Sequence, residues 1–292
     1  MNEMFQVLIL GLVLGGVYAL MASGLTLVFG VMRIVNIAHS AFIILAAYIA
    51  YWGFKLYGID PMLSIFINMP LLFILSIILH KLLFPRIAES PRYVEMTVLM
   101  TFALALILEG TMGVFFTGIY RSANPSYTTQ AFIFGPYYLP LGQFYATLLS
   151  VVLLLLLLLF LRFTRTGRAI RATMQNRTAA QIVGVNVERI STLSFGIGIA
   201  LAGASGSLMS FLFTFFPAKH WQWVAMLLAL IVLGGMGSLM GAITGALLLA
   251  VAAAYVSHFF GPTWSPITFF LALFLILLVR PQGLFGKQPM EA

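Results

Sequence analysis

The chain has little charge and no cysteine. Of its 292 residues only 8% are charged, and none is a cysteine. A soluble domain carries about 25% charged residues, so this chain lacks the charge needed to cover a water-facing surface. The missing cysteine excludes disulfides and thiolate metal sites within the chain. Both shortages exclude soluble, disulfide-stabilised and zinc-ribbon classes of protein.

Catalytic motifs are missing as well. The sequence has no G-x-x-x-x-G-K-[ST] phosphate loop, since its four lysines are followed by Leu56, Leu82, His220 and Gln288. It has no G-x-S-x-G elbow, and its four histidines lie in separate segments without metal-ligand spacing. We therefore expect no cofactor in this chain, no ATP hydrolysis by it, and no cluster of acid, base or nucleophile typical of a membrane enzyme.

Long apolar runs dominate what is present. Hydrophobic residues make up 62% of the chain and the mean hydropathy is +1.08. Uncharged runs long enough to cross a bilayer, roughly 20 residues each, recur along the chain. Val151–Leu161 has no period-two alternation of the kind found in membrane barrels. The sequence thus predicts an all-α polytopic membrane protein, with 1–292 forming one transmembrane domain.

Nine apolar segments fit transmembrane helices, and the seventh is short. It fits a re-entrant segment as well as a crossing, so the expected number of spans is eight or nine. The predicted spans are 4–31, 37–54, 62–83, 95–117, 141–161, 190–214, 222–234, 241–258 and 264–279.

The basic residues predict the orientation. A net charge of +8 would favour nucleic acid in a soluble protein, but in a membrane protein basic residues collect in cytoplasmic loops. With the N-terminus outside, every lysine and arginine falls inside except Lys55, Arg121 and Lys219. We therefore expect a cytoplasmic C-terminus, a lipid environment and no nucleic-acid partner.

Glycine clusters and a few polar residues interrupt the apolar segments. Glycines four residues apart, such as Gly11 and Gly15, allow close helix packing. Gly-interrupted segments in both halves also fit broken helices around a transport path and an internal inverted repeat. Both interpretations stay open. The candidate residues of the translocation path are Asn36, His39, Glu109, Gly234, Gly235 and Gly237.

Alternatives exist for each polar candidate. Glu109 lies in an otherwise apolar stretch, where a carboxylate either lines a path or pairs with a neighbour in the bundle. Asn36 and His39 fit a pore constriction, and they equally fit capping of freed backbone groups at a helix break. Trp221 and Trp223 are interpreted as an interfacial aromatic anchor.

The polar segment at about 162–190 is the most informative interruption. It lies between apolar runs, is rich in arginine and alanine, and predicts an exposed, helix-like basic connector at one membrane face. A connector of this kind fits a docking site for a soluble partner, and its charge alone equally fits a stripe resting on anionic lipid headgroups.

Four blocks of residues, in order along nearly the whole chain, carry a family resemblance. The first runs Gly15-Gly16-Val17-Tyr18-Ala19-Leu20 and continues through Gly24, Gly30, Val31, Asn36, Ala38, His39, Ala47 and Tyr48. The others are Gly167-Arg168-Ala169 with Arg171-Ala172, Ala179 and Gly184; Val232-Leu233-Gly234-Gly235-Met236-Gly237-Ser238 with Gly241-Ala242 and Gly245; and Arg280-Pro281-Gln282-Gly283-Leu284-Phe285-Gly286. Together they resemble bacterial ABC importer permeases for branched-chain amino acids, with a length typical of the smaller, H-type subunit.

The resemblance implies partners and a mechanism. It implies a second, related permease subunit, two cytoplasmic ATPases that hold ATP and Mg²⁺, an extracytoplasmic binding protein, and the bacterial inner membrane as location. It implies that the 162–190 segment transmits ATPase movement, with arginines offering charge-assisted hydrogen bonds and small residues allowing close approach. The expected residues of this coupling loop are Gly167, Arg168, Arg171, Ala172, Asn176, Ala179, Ala180 and Gly184.

The cargo is the least determined part. Branched-chain amino acids are the leading hypothesis, and relatives that carry urea, short amides or aromatic acids are alternatives. The stretch Lys219–Trp223 is more aromatic than the family pattern, which fits a different cargo or a different docking surface. An ion-coupled secondary transporter would need carboxylates within the spans, and Glu109 alone lies well inside one. A non-transporting scaffold or membrane enzyme is a further alternative.

Overall fold

Helices form nearly the whole structure. The computed structural model describes residues 2–88 and 90–286, so Lys287, predicted to lie inside, falls outside the described residues. The helices are α1 (Asn2–Met32), α2 (His39–Tyr57), α3 (Ile65–Leu83), α4 (Tyr93–Phe116), α5 (Leu141–Phe163), α6 (Arg165–Gln175), α7 (Arg177–Ile182), α8 (Val187–Leu212), α9 (His220–Gly234), α10 (Leu239–Phe260) and α11 (Ser265–Val279).

The predicted all-α polytopic class is confirmed. Eight segments in the described part of the chain are long and apolar enough to cross a membrane. Each of the nine predicted spans matches a helix to within a few residues. The short one is α9, whose 15 residues rise about 22 Å, less than the hydrocarbon thickness of about 30 Å.

The helix α9 joins opposite ends of the bundle. Just after α8, the backbone of Phe215 pairs with Arg121, which fixes one end. The turn after α9 contacts the last residues of α1, where a methyl group added at Gly30 would lie 3.5 Å from the Cα of Gly237. Because α1 runs the full length of the bundle, α9 crosses from one end to the other rather than folding back.

A short β-hairpin was not predicted. Strands β1 (Ala131–Phe134) and β2 (Tyr137–Pro140) pair antiparallel, with Phe134 opposite Tyr137. Four aromatic side chains and a Gly-Pro turn provide the local β-forming pattern, and Gly135 adopts a φ of +59° there. The hairpin defines the "hairpin end" of the bundle, and the opposite end, which carries α6 and α7, is the "basic end".

The centre of the fold is α8, which is almost entirely buried. Glycines along it let three other helices reach its backbone. A methyl group added at these positions would meet Phe73 of α3 from Gly196, the Gly24 carbonyl of α1 from Gly198, the Asn68 carbonyl of α3 from Gly203, and the Ile43 carbonyl of α2 from Gly206. Close backbone approach of this kind is how helices pack without a hydrophobic driving force between them.

Helix packing also fits the internal inverted repeat that the sequence left open. The first helix of the first half, α1, packs against α10, the third helix of the second half. Correspondingly, the first helix of the second half, α8, packs against α3, the third helix of the first half. Since α1 and α8 run in opposite directions, these contacts relate α1–α4 to α8–α11 with inverted direction. Inverted repeats are a common plan of transporter folds.

The α1–α8 crossing gives a stability prediction. In Gly24→Ala the new methyl group overlaps the Gly198 carbonyl oxygen and lies 2.9 Å from Cε1 of His39. Overpacking of this kind costs about 1–3 kcal/mol, so the variant should unfold at lower temperature in detergent. The control is Gly110→Ala on α4, where no described atom lies within 4 Å of the new methyl group. Equal stability of the two variants would contradict a tight crossing.

Candidate functional site

The predicted connector consists of two short helices at the basic end. Thr164 caps α6, because its hydroxyl accepts a hydrogen bond from the Gly167 amide at 2.9 Å. A side chain at Gly167 would overlap the Phe160 carbonyl at the end of α5. Ile170 and Thr173 point into the protein while the arginines of α6 face outward. The segment is therefore an amphipathic platform fixed to the end of α5.

The two candidate arginines bind the end of α5 while remaining exposed. Arg168 donates to the Phe163 carbonyl at 3.2 Å, and Arg171 donates to the Arg162 carbonyl at 3.3 Å. Cations are favourable at a helix C-terminus, where carbonyl groups lack intrahelical partners. Each guanidinium keeps further N–H groups for another partner.

Four of the remaining coupling candidates shape the turns around α7. The Asn176 side chain accepts from the Ala179 amide at 2.9 Å and so caps the helix. Gly184 has a φ of +87° just after α7, a position that favours glycine. Ala179 is exposed, whereas Ala180 is buried within the chain itself. Of this alanine pair, Ala179 alone is open to a partner.

Ala172 is half-buried on α6. Two exposed apolar side chains complete the platform, and the sequence interpretation missed them. Ile182 is 81% exposed and Val183 is 76% exposed at the end of α7. Neither lies in an apolar helix long enough to face lipid. We call Ile182 and Val183 the apolar knuckle.

The platform contacts the end of α1 through Met174. The methyl group of Met174 touches Gly30 near the end of α1, and its carbonyl accepts a hydrogen bond from Arg33 at 3.2 Å. Arg33 itself has a φ of +58° where α1 ends. A methyl group added at Gly30 would lie 3.5 Å from the Cα of Gly237 between α9 and α10. The end of α6 therefore lies beside the α1–α2 break, with the α9–α10 turn next to it.

Asn36 and His39 lie in the α1–α2 break, fully buried. The His39 ring is 3.1 Å from the Met21 carbonyl through Nε2, so it binds a backbone group of α1. Among the described residues, neither atom of the Asn36 amide has a hydrogen-bond partner. The two residues share the break, but neither is among the residues that line the cavity described below.

The three path candidates Gly234, Gly235 and Gly237 form the turn between α9 and α10. Gly235 and Gly237 have φ angles of +100° and +84°. The chain beyond α11 returns to this turn, where Leu284 donates to the Leu233 carbonyl at 2.8 Å and Phe285 donates to the Gly234 carbonyl at 3.1 Å. The C-terminal block, Arg280–Gly286, thus ends α11 and also caps the last carbonyl groups of α9.

Glu109 lies far from that turn and is paired. Its Oε2 is 3.0 Å from Nε2 of His220 and accepts from Nε1 of Trp221 at 2.9 Å. The Glu109 side chain is 25% exposed and that of His220 is fully buried. The carboxylate therefore joins α4 to the start of α9. The candidate path residues thus occupy three separate places.

The anchor interpretation of Trp223 is wrong. Trp223 is 4% exposed, and its ring packs 5.9 Å from Tyr18 and 5.2 Å from Phe213 between ring centroids. Phe269 completes this aromatic cluster at 6.0 Å from Tyr18. Tryptophan in an apolar stretch does not show by itself whether it faces lipid or the bundle.

An outer cavity, also missed from the sequence, opens at the hairpin end above this cluster. It has a volume of about 650 Å³ and lies between α1, α5, α10 and the start of α11. Its lining runs along α1 from Asn2 to Tyr18. Helix spacing on α1 and the alanines of α10 could have indicated a common face, but not an open space.

A half-buried ion–dipole contact fixes the loop beside this end. The Tyr127 hydroxyl donates to Oδ1 of Asp60 at 3.1 Å, and the same oxygen accepts from the Met62 amide at 2.8 Å. Burial raises the pKa of Tyr127, and the Asp60 charge raises it further. Tyr127 therefore remains a protonated donor at physiological pH.

The chain belongs to the family described as "Branched-chain amino acid transport system / permease component", which it matches over residues 7–279. It is therefore a multi-pass membrane protein of a transport permease family. No solved structure matches the chain.

Curated relatives match over nearly the full length. The chain is 28% identical to the probable branched-chain amino acid transport permease protein LivH of Methanocaldococcus jannaschii, over 91% of this chain and 88% of the relative. It is 29% identical to the high-affinity branched-chain amino acid transport system permease protein BraD of Pseudomonas aeruginosa, over 98% and 97%. A shorter match, 33% identical over 47% of this chain and 32% of the relative, is to the permease protein LivM of Escherichia coli.

The Glu109 pairing gives a prediction that distinguishes a structural contact between α4 and α9 from a role in the translocation path. Glu109→Ala leaves the His220 and Trp221 groups without their acceptor, which costs about 1–3 kcal/mol and should lower the unfolding temperature in detergent. Glu109→Gln keeps an acceptor oxygen and should retain both stability and transport. Loss of transport in Glu109→Gln with unchanged stability would contradict the structural role and favour a path role.

Proposed function

We propose that the chain is a permease subunit of an ATP-driven importer that moves branched-chain amino acids inward. The observation that carries this proposal is the family match over residues 7–279. The relatives matched over most of their length are named as branched-chain amino acid transport permeases. Urea, short amides and aromatic acids remain alternative cargoes of the same importer class.

The proposed partners supply what the sequence lacks. The chain has no phosphate loop of its own, so ATP and Mg²⁺ are held by two separate cytoplasmic ATPase subunits. A second, related permease subunit completes the path, and the partial match to LivM supports a partner of that kind. An extracytoplasmic binding protein delivers the cargo.

The proposed orientation places the basic end in the cytoplasm of a bacterial inner membrane. The basic residues at that end include all those of α6, α7 and the α1–α2 break, whereas Lys55, Arg121 and Lys219 lie toward the hairpin end. By the positive-inside rule the N-terminus is then outside and the C-terminus cytoplasmic.

The platform couples the ATPases to the helices. The apolar knuckle enters an apolar groove on the ATPase, since two exposed aliphatic side chains are costly to leave in water. Arg168 and Arg171 offer charge-assisted hydrogen bonds to the same partner. Met174 passes the displacement of α6 to the end of α1 and to the α9–α10 turn, which it reaches through Gly30.

Reconstitution tests the function. The complete complex in proteoliposomes, with ATP inside and a loaded binding protein outside, is expected to accumulate leucine, isoleucine or valine. Uptake that needs no ATP and collapses with the ion gradient would overturn the proposal in favour of a secondary transporter. ATP-driven uptake of urea, a short amide or an aromatic acid instead would keep the importer class and replace the cargo.

The apolar knuckle gives a docking prediction. Ile182→Ser with Val183→Ser removes both exposed side chains without touching the buried core. Their burial is worth about 1.5–3 kcal/mol each, and 1.4 kcal/mol is a factor of ten in affinity, so ATPase association should weaken at least about a hundredfold. Affinity for the purified ATPase is measured in nanodiscs. The control is Ile119→Ser, an exposed isoleucine at the hairpin end, and equal affinities would contradict docking at the knuckle.

Met174 gives a separate prediction about coupling. Met174→Ala removes the contact with Gly30 while leaving the knuckle intact, so ATP hydrolysis by the assembled complex should continue. Coupling free energies of 1–3 kcal/mol correspond to factors of about 5 to 150, so uptake per ATP should fall about fivefold or more. Met240→Ala, an exposed methionine on α10, is the matched control. An unchanged ratio in Met174→Ala would show that displacement passes elsewhere.

A further inference from the structure

We infer that the outer cavity is a cargo-binding site within this single chain, and that it takes a zwitterionic α-amino acid with an aliphatic side chain. The inference rests on the proposed function and deepens it. The first argument is size. A volume of about 650 Å³ lies within the roughly 300–1,000 Å³ of small-molecule sites, and it holds an amino acid of leucine size with part of its water.

The inner wall of the cavity is apolar. Val7, Leu10 and Leu14 lie on one face of α1, at the three- and four-residue spacing of a helix. They face the alanines of α10, represented by Ala253 and Ala254. Because alanine is short, the wall opposite α1 is recessed and leaves room for a branched aliphatic side chain.

The mouth of the cavity is polar, and it carries groups that can bind the ammonium group of an amino acid and groups that can bind its carboxylate. Glu3 lies at the mouth with its Oε2 4.0 Å from Nε2 of His258, and Ser257 lies one residue earlier on α10. A carboxylate attracts an ammonium group, while imidazole and hydroxyl groups donate to a carboxylate. Polar groups at the mouth and apolar groups within match the two parts of an aliphatic amino acid.

Gln143 supplies a polar group partway down. Its side chain lines the cavity from the first turn of α5, and its buried Oε1 has no hydrogen-bond partner among the described residues. A buried acceptor of this kind gains from a ligand donor. Gln6 differs, because both of its amide atoms already bond to the Tyr138 backbone and hold the hairpin against α1.

On α1 the lining of the cavity ends at Tyr18, a member of the aromatic cluster. Tyr18 lies about 22 Å along α1 from Glu3 and packs on Phe213, Trp223 and Phe269. The cavity therefore reaches past the middle of α1 from the hairpin end, where Tyr18 is held by rings from three other parts of the chain. A cargo held there sits next to the aromatic cluster.

The natural absence of cysteine allows a direct test. Ser257→Cys places one thiol in the cavity, and Ser126→Cys places one on an exposed loop at the same end. Each variant is assembled into the complete complex in nanodiscs, without the binding protein, and reacted with a water-soluble maleimide. Leucine is titrated, and incorporation is read on this chain alone.

The expected result is protection confined to the cavity. Labelling of Ser257→Cys slows in proportion to the unoccupied fraction, so leucine at about ten times its Kd slows it about tenfold, while Ser126→Cys is unaffected. Equal rates with and without leucine at both positions would overturn the inference. No labelling of Ser257→Cys under any condition would also overturn it, since lipid or the second permease then fills the cavity.

A transport measurement keeps the two proposals separable. Gln143→Leu removes the polar group and breaks no hydrogen bond of the described structure, so the KM for leucine uptake should rise about tenfold, the factor that accompanies loss of one hydrogen bond to a charged group. Binding-protein-stimulated ATP hydrolysis should persist. An unchanged KM would contradict the cargo site, whereas absence of ATP-driven uptake in the unmodified complex would contradict the importer function itself.

Discussion

Close backbone contact along α8 is the constraint on which the rest of the structure depends. Gly198 and Gly24 let α8 and α1 cross so closely that a methyl group on either glycine would overlap the carbonyl of the other, and Gly206 lets α2 approach in the same way. Apolar side chains alone would not drive helices together inside a bilayer, because lipid tails are equally apolar. The glycines instead provide contact area between backbones, which fixes α1, α2 and α3 around one buried helix.

That constraint gives α1 a special position. It is a single helix of 31 residues, held in its second half by the crossing with α8 at Gly24. Its first half lines the outer cavity, and its last turns contact Met174 of the basic platform. A small displacement of α6 would therefore reach the cavity through one continuous element. Packed helices transmit such shifts because their interfaces do not deform continuously.

The sequence predicted the large features because they depend on local composition. Hydropathy located nine helices, and basic residues marked one end. The partners of Glu109 were not predictable, since His220 and Trp221 lie more than a hundred positions away and become neighbours only when α9 packs beside α4. Trp223 was misinterpreted for the same reason, as its aromatic partners Tyr18 and Phe213 come from α1 and the segment after α8.

The β-hairpin and the cavity were missed for different physical reasons. The hairpin is too short to stand out in a hydropathy pattern, and it is held by contacts such as those of Gln6 with Tyr138 across more than a hundred residues. A cavity is a property of what several helices leave unfilled, so no single segment encodes it. Ile182 and Val183 are two adjacent aliphatic residues in the polar segment, but the sequence does not show whether they are buried. The fold shows that they remain exposed at the basic end.

The most direct test of the account is the composition of the complex isolated gently from native membrane, with ATP hydrolysis assayed in nanodiscs. The proposed function predicts recovery of this chain with a second permease and two ATPase subunits, and hydrolysis stimulated by one liganded binding protein. Recovery of this chain without any nucleotide-hydrolysing partner would contradict it, and the basic platform would then be a surface that rests on lipid headgroups.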